Sequence, residues 1–248
     1  MKKTFFKKKV SLVLLCNVDP KNVIHTKRKN IEDRINDFEK SLPFWLRLAL
    51  FKNIIVIENS NFKGDLFKKH IRQSVNKKNI ELMIYDGQKY NRKLGKGFGW
   101  YQQVDTLLKR SKNAKKTNYF VLVTGRYKIK NIIKILLNAN TPLICNINRN
   151  LTFALSSVTL FPKHFLKKYW LKYCSKTNDS NNKTMEHQQA RALLRAISDG
   201  YKWELPSEAP DIDAMSAFSN TPYKKNVIHT LLLKYYSYLK KFIFEFER

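Results

Sequence analysis

With 248 residues of which 43% are hydrophobic, the chain is long enough for one large α/β core and short for two. Its 48 lysines and arginines against 19 acidic residues give a net charge of +29, a field that favours nucleic acid, an acidic membrane surface or phosphorylated substrates as partners. The three cysteines, Cys16, Cys145 and Cys174, have no metal-ligand spacing and lie in or beside apolar runs, so they read as core thiols of a reducing compartment, and no Walker A motif, zinc finger or serine nucleophile elbow occurs.

The first residues, MKKTFFKKKVSLVLLC, imitate a secretory signal. The apolar run Val10 to Leu15 is too short for one and no small residues precede Cys16, so a basic tail and a first strand are expected. Further short apolar runs follow at Ile54 to Ile57, Ile80 to Tyr85, Tyr119 to Val123 and Leu143 to Ile147, with a more alternating strand from Thr152 to Leu160. Between them, Ile31 to Leu50, Gly64 to Val75, Tyr101 to Arg110 and Ile132 to Leu137 carry helical spacing, and Pro43 is expected to break or kink the first. The alternation predicts a mainly parallel α/β sheet with crossover helices.

After Pro162 the pattern is helical from His164 to Tyr173, then breaks at Ser175 to Thr184, the best candidate for a mobile loop. Thr184 is placed to cap the next helix, with Glu186 in its first turn. Residues 1–223 are expected to form the main domain and 224–248 a basic, aromatic helix that packs on it or faces a membrane. No run approaches the roughly 20 apolar residues that span a bilayer, so the expected location is the cytoplasm, with peripheral contact to the inner membrane.

Candidate chemistry gathers at predicted strand ends, where open α/β sheets bind ligands. Glu58 and Asn59 end the second strand and Asp86 the third, and all three can accept hydrogen bonds from a base or ribose. The Gly95 to Gly99 segment, with Lys96 and Gly97 at its centre, can bring backbone N–H groups and an ammonium to a phosphate. The fourth strand ends in Thr124, Gly125, Arg126 and Tyr127, and the Arg126 guanidinium can hold a phosphate bidentately. Glu186 and His187, adjacent beyond the loop, are the candidate catalytic pair, either able to act as general base. Asp211, Asp213 and Ser216 are candidate acceptor contacts, Asp211 and Asp213 forming the one DxD of the chain without a preceding strand. No residue set is assigned to a metal.

The ENS of Glu58 to Ser60, the GKGFG of Gly95 to Gly99 and the TGRY of Thr124 to Tyr127, in that order, resemble a family of small bacterial glycosyltransferases associated with capsule and lipopolysaccharide synthesis. The likeness extends loosely to the helical segment around Arg34 and Phe38 and to the helix start at Glu186. It implies a GT-A-like fold, a nucleotide-sugar donor and a glycan or lipid-linked acceptor. An enzyme of that fold usually presents a DxD where this chain has TGRY, so donor binding is expected to need no cofactor, metal-independence being favoured with Mg or Mn left open. Charge reversal at Arg126 is then expected to abolish donor binding and to spare the melting temperature if the side chain is exposed. The family pattern implies an acidic residue where Trp100 stands, which leaves a non-catalytic member as one alternative. A nucleic-acid-binding protein is the other, although the basic residues are spread along the whole chain without an RNA- or DNA-binding signature.

Overall fold

In a computed structural model of the chain, the described residues are 10–223 together with Tyr235 and Leu239. The expected basic tail and, apart from those two positions, the 224–248 helix lie outside them.

Six strands form the main sheet: β1 (Val10–Cys16), β2 (Asn53–Glu58), β3 (Ile80–Ile84), β4 (Tyr119–Thr124), β6 (Ile144–Ile147) and β7 (Ala154–Pro162). Their order is β3-β2-β1-β4-β7-β6. The pairs β1–β2, β2–β3 and β1–β4 are parallel, while β7 runs antiparallel to both β4 and β6. A small antiparallel pair, β5 (Lys128–Ile129) with β8 (Ile212–Asp213), sits beside the sheet. The fold is therefore a mainly parallel α/β sheet of Rossmann-like kind.

Its register follows from composition. Leu12 and Leu14 of β1 point into one apolar layer with α1 (Ile31–Leu46), α2 (Leu66–Gln73) and α5 (Ile132–Leu137), whereas Val13 and Leu15 point into the other. That second layer is covered by α3 (Lys96–Arg110) and its short continuation α4 (Lys112–Lys115), and by α8 (Met185–Ser198). It also receives a helical rod in which α6 (Lys163–Phe165) passes through a π segment, Leu166–Trp170, into α7 (Leu171–Cys174). Strands buried on both faces need apolar side chains at successive positions, which is why β1, β2 and β4 read as unbroken runs.

Two helices differ from expectation in their extent. α1 is not broken at Pro43 but continues through it to Leu46, its C-terminal half anchored by the fully buried Leu42 and Trp45. The helix expected from Tyr101 to Arg110 starts earlier: α3 begins at Lys96, so Gly97 and Gly99 lie in its first turns. Gly97 is where α8 crosses, and a Cβ there would stand 2.8 Å from the Cβ of Met185.

Two buried amides tie the helices to the strand ends. Gln103 of α3 donates to the carbonyls of Cys16 at 2.6 Å and Ile57 at 3.0 Å. Gln189 of α8 donates to the carbonyls of Ala154 and Leu155 at 3.3 Å and accepts from the Trp170 indole at 2.9 Å. α3 and α8 are thereby fixed on the same side of the carboxyl ends of β1, β2 and β4.

Candidate functional site

The chain goes from β1 to β2 and β3 on one side and then crosses to β4 on the other, so the sheet has a topological switch point between β1 and β4. A cavity of about 680 Å³ opens there, within the size range of small-molecule and cofactor sites. Asn17 after β1, Asn59 after β2, and Thr124, Arg126 and Tyr127 at the end of β4 form its floor. Lys96, Gly97 and Trp100 of α3 and Glu186 of α8 line it from the helical layer. Ile212, Ala217, Phe218 and Tyr223, from the segment after α8, close a third side.

Of the residues singled out in the sequence, the cavity thus brings together Asn59, Lys96, Gly97, Thr124, Arg126, Tyr127 and Glu186. The others are elsewhere. Glu58 is fully buried and its carboxylate organises the loops beyond β1 and β2: Oε1 accepts from the backbone N–H of Val18 at 3.2 Å and of Ser60 at 2.9 Å, and Oε2 from that of Phe62 at 3.0 Å. Asp86 accepts from the Gln88 N–H and faces Lys89 at 3.6 Å. Gly125 is part of the core, its N–H donating to the Leu15 carbonyl and its carbonyl accepting from Ser41 Oγ. His187 stacks edge-on against Phe153, with Nδ1 at 3.0 Å from Thr184 Oγ1. Thr184 spends its hydroxyl there and makes no side-chain cap to α8.

Asp213 pairs with Lys128 at 2.9 Å and Lys130 at 3.3 Å, which hold its carboxyl below the usual range. Asp211 joins the β5 region through its backbone, accepting from the Lys130 N–H and donating to Asn131 Oδ1. Ser216 Oγ accepts from the N–H groups of Phe218 and Ser219 and so shapes the turn that places Phe218 on the cavity.

One wall of the cavity is cationic. Asp37 of α1 accepts from two guanidiniums, Arg28 through Nε at 2.6 Å and Nη2 at 2.9 Å, and Arg126 through Nη1 at 2.7 Å. Arg126 is 3% exposed. It is therefore a buried, paired arginine, and the condition of an exposed side chain attached to its charge reversal is not met. Arg34, one turn before Asp37, is also buried, yet its donors reach only oxygens of neutral groups: the Asn17 carbonyl at 3.0 and 2.5 Å, the Arg28 carbonyl at 3.1 Å and Asn17 Oδ1 at 3.4 Å. Burial, with repulsion from Arg126, lowers its pKa to about 9. Arg28 also pairs with Asp33 at 3.4 Å, Arg126 pairs with Asp37 alone and Arg34 makes no ion pair among the described residues, so the two that line the cavity, Arg34 and Arg126, leave positive charge facing it. A buried excess of charge is costly until an anion enters.

The helical wall is acidic. Ser175 to Thr184, expected as a mobile loop, is a built turn: Asn178 and Lys183 bridge, Asp179–Asn181 form a 3-10 turn, and Thr177 and Asp179 are buried. Asp179 rests against the start of α3, where the backbone N–H of Gly97 favours its charged form. Gly95, at φ +85°, has no room for a side chain because a Cβ would fall 1.9 Å from Asp179 Oδ2. The N-terminus of α3 is consequently occupied by a carboxylate of the chain itself. Glu186, whose Oε1 accepts from Ser156 Oγ at 3.0 Å, lies near enough that its charge, after burial, raises the Asp179 pKa, while Lys96 and His25 oppose the rise.

Sequence reasoning assigns no role to Asp179 or Asp37 and meets Arg34 only within a resemblance. The available signal for Arg34 and Asp37 was their position one turn apart on a helix that follows β1. Asp179, in a polar tract without periodicity, gave none.

No family model matches this sequence, nor does any curated protein. Among solved structures, 4-diphosphocytidyl-2C-methyl-D-erythritol synthase from Anaerococcus prevotii aligns with a TM-score of 0.46 at 12% identity, over 93% of this chain and 96% of that one. A likeness that loose transfers no role to any residue. Among the described residues, no helix is long and apolar enough to cross a membrane, and no three His, Cys, Asp or Glu side chains cluster in a way that could hold a metal ion.

Proposed function

We propose that the protein is a glycosyltransferase of GT-A-like fold that moves a sugar from a nucleotide donor to a cell-surface polysaccharide or lipopolysaccharide acceptor at the cytoplasmic face of the membrane. One observation carries the reading. One cavity at the switch point of a mainly parallel sheet sets the guanidiniums of Arg34 and Arg126 on one wall and the carboxylates of Asp179 and Glu186 on another.

Transfer from a sugar diphosphate needs both kinds of group. The bond that breaks, C1 to phosphate oxygen, leaves negative charge on the diphosphate, and positioned guanidiniums stabilise that charge as it develops. The incoming hydroxyl must lose a proton, for which a carboxylate within reach is sufficient. Asn17 and Asn59, hydrogen-bonded to each other at 2.8 Å, offer polar contacts to base or ribose on the floor. Since Arg34 and Arg126 supply the positive charge, donor binding is expected to survive chelation by EDTA.

The test is a panel of nucleotides and nucleotide sugars. A ligand present at a hundred times its Kd stabilises the fold by about 2.7 kcal/mol, which thermal unfolding reads easily, and released nucleoside phosphate reports turnover. No stabilisation by any nucleotide would remove the proposal.

A further inference from the structure

Neither Asp179 nor Glu186 takes part in an ion pair among the described residues, although cations outnumber carboxylates by 48 to 19 in the chain. Asp179 is 6% exposed, its Oδ1 is buried with no hydrogen-bond partner, and the residue lines the cavity. A buried acceptor without a donor costs free energy unless a ligand supplies one. It is held against the start of α3, where the missing side chain of Gly95 makes room for Oδ2 and the Gly97 N–H favours the carboxylate.

Building on the transferase reading above, we infer that Asp179 is the catalytic base, with Glu186 as the neighbour that tunes it. The Asp179 carboxylate takes the proton of the acceptor hydroxyl; that oxygen forms its bond to C1 of the donor sugar as the bond from C1 to the phosphate oxygen breaks. The electron pair leaves with the nucleoside diphosphate, whose charge Arg34 and Arg126 receive. One base and one displacement invert the configuration at C1.

The groups facing Asp179 set its affinity for protons. Burial and the Glu186 charge raise it, whereas Lys96, His25 and the Gly97 N–H lower it. The net rise makes Asp179 a better proton acceptor than an ordinary aspartate. Cys174, below Glu186, is buried with its thiol pKa raised by burial and does not compete.

The experiment follows release of nucleoside phosphate from UDP-, GDP-, dTDP- and CMP-linked sugars, with water as acceptor, across pH. Asp179→Asn can keep the Gly97 contact through its side-chain oxygen, and it is expected to lower turnover by about 100-fold or more with the nucleotide Kd changed less than about threefold. Glu186→Gln should move the acidic limb of the pH profile to lower pH, and NMR of the Asp179 carboxyl should show the same shift without turnover. Wild-type turnover in Asp179→Asn, or loss there with no movement of the limb or of the carboxyl titration in Glu186→Gln, would overturn the assignment and leave the donor reading intact. Absence of nucleotide binding by the wild type would overturn the donor reading, and the base with it.

Discussion

Asp37 carries two guanidiniums on one carboxylate, and the cationic wall is held in shape by that hub. Asp37→Asn keeps the volume and removes the charge, leaving Arg28, Arg34 and Arg126 to repel one another. Its side chain is 11% exposed, so the expected cost is about 2 kcal/mol, below the 3–5 kcal/mol of breaking a fully buried pair. Urea unfolding measures it, and millimolar pyrophosphate should return part of the loss in the variant. Gly95 and Gly200 form a second test at this scale, since their φ angles are +85° and +87° and their surroundings are opposite. An alanine Cβ at Gly200 meets nothing within 4 Å, so Gly200→Ala should cost about 1 kcal/mol of backbone strain. At Gly95 the same change drives into the Asp179 carboxylate, and a loss clearly greater than at Gly200 is expected from their thermal unfolding. Equal losses would mean that Asp179 does not press on the helix start.

At the scale of elements, much was legible. β1, β2 and β4 are sandwiched between helical layers, and burial on both faces writes itself as an apolar run, so Val10 to Leu15, Ile54 to Ile57 and Tyr119 to Val123 were readable to within a residue or two. The start of α3 was not readable, because three glycines in five residues signal a turn by propensity. Here tertiary packing overrides propensity, with α8 crossing at Gly97 and Asp179 filling the place of a cap. The Asp179 part of the acidic wall was hidden for a related reason: its turn meets the start of α3, far away in sequence, and no spacing records that. Pro43 is a third case, its missing N–H tolerated inside α1. Pro43→Ala should stabilise by about 1–2 kcal/mol, the roughly 3 kcal/mol helix penalty offset by the greater freedom of the unfolded chain. A loss in urea midpoint would show instead that the pyrrolidine ring contributes to packing.

For the whole molecule, the cavity has two poles whose costs appear in its stability. Asp179 holds its proton more tightly folded than unfolded. Its contribution to stability is therefore fully present below the unfolded pKa and is lost as pH rises through the raised folded value. Asp179→Asn removes this dependence, so the variant should be more stable than wild type at pH 7, with the advantage vanishing at pH 3. Arg34 acts in the alkaline range: with its folded pKa lowered to about 9, the unfolded chain binds more protons above that value, and stability gains from this group as pH rises there. Both signs belong to a site that gives up stability for function, which an entering ligand repays. The net charge of +29 spreads over the chain and supports attraction to anionic surfaces in general, whereas these buried groups select a particular anion.

That selection is measured most directly by calorimetric titration of nucleoside diphosphates into the full-length protein and its Arg34→Gln variant, in the presence of EDTA. The account predicts saturable binding of at least one diphosphate to the wild type, weaker binding of the matching nucleoside, and a loss of about tenfold or more in the variant, or about 1.4 kcal/mol. Diphosphate binding that is unchanged by the loss of Arg34, or no binding at all, would contradict it.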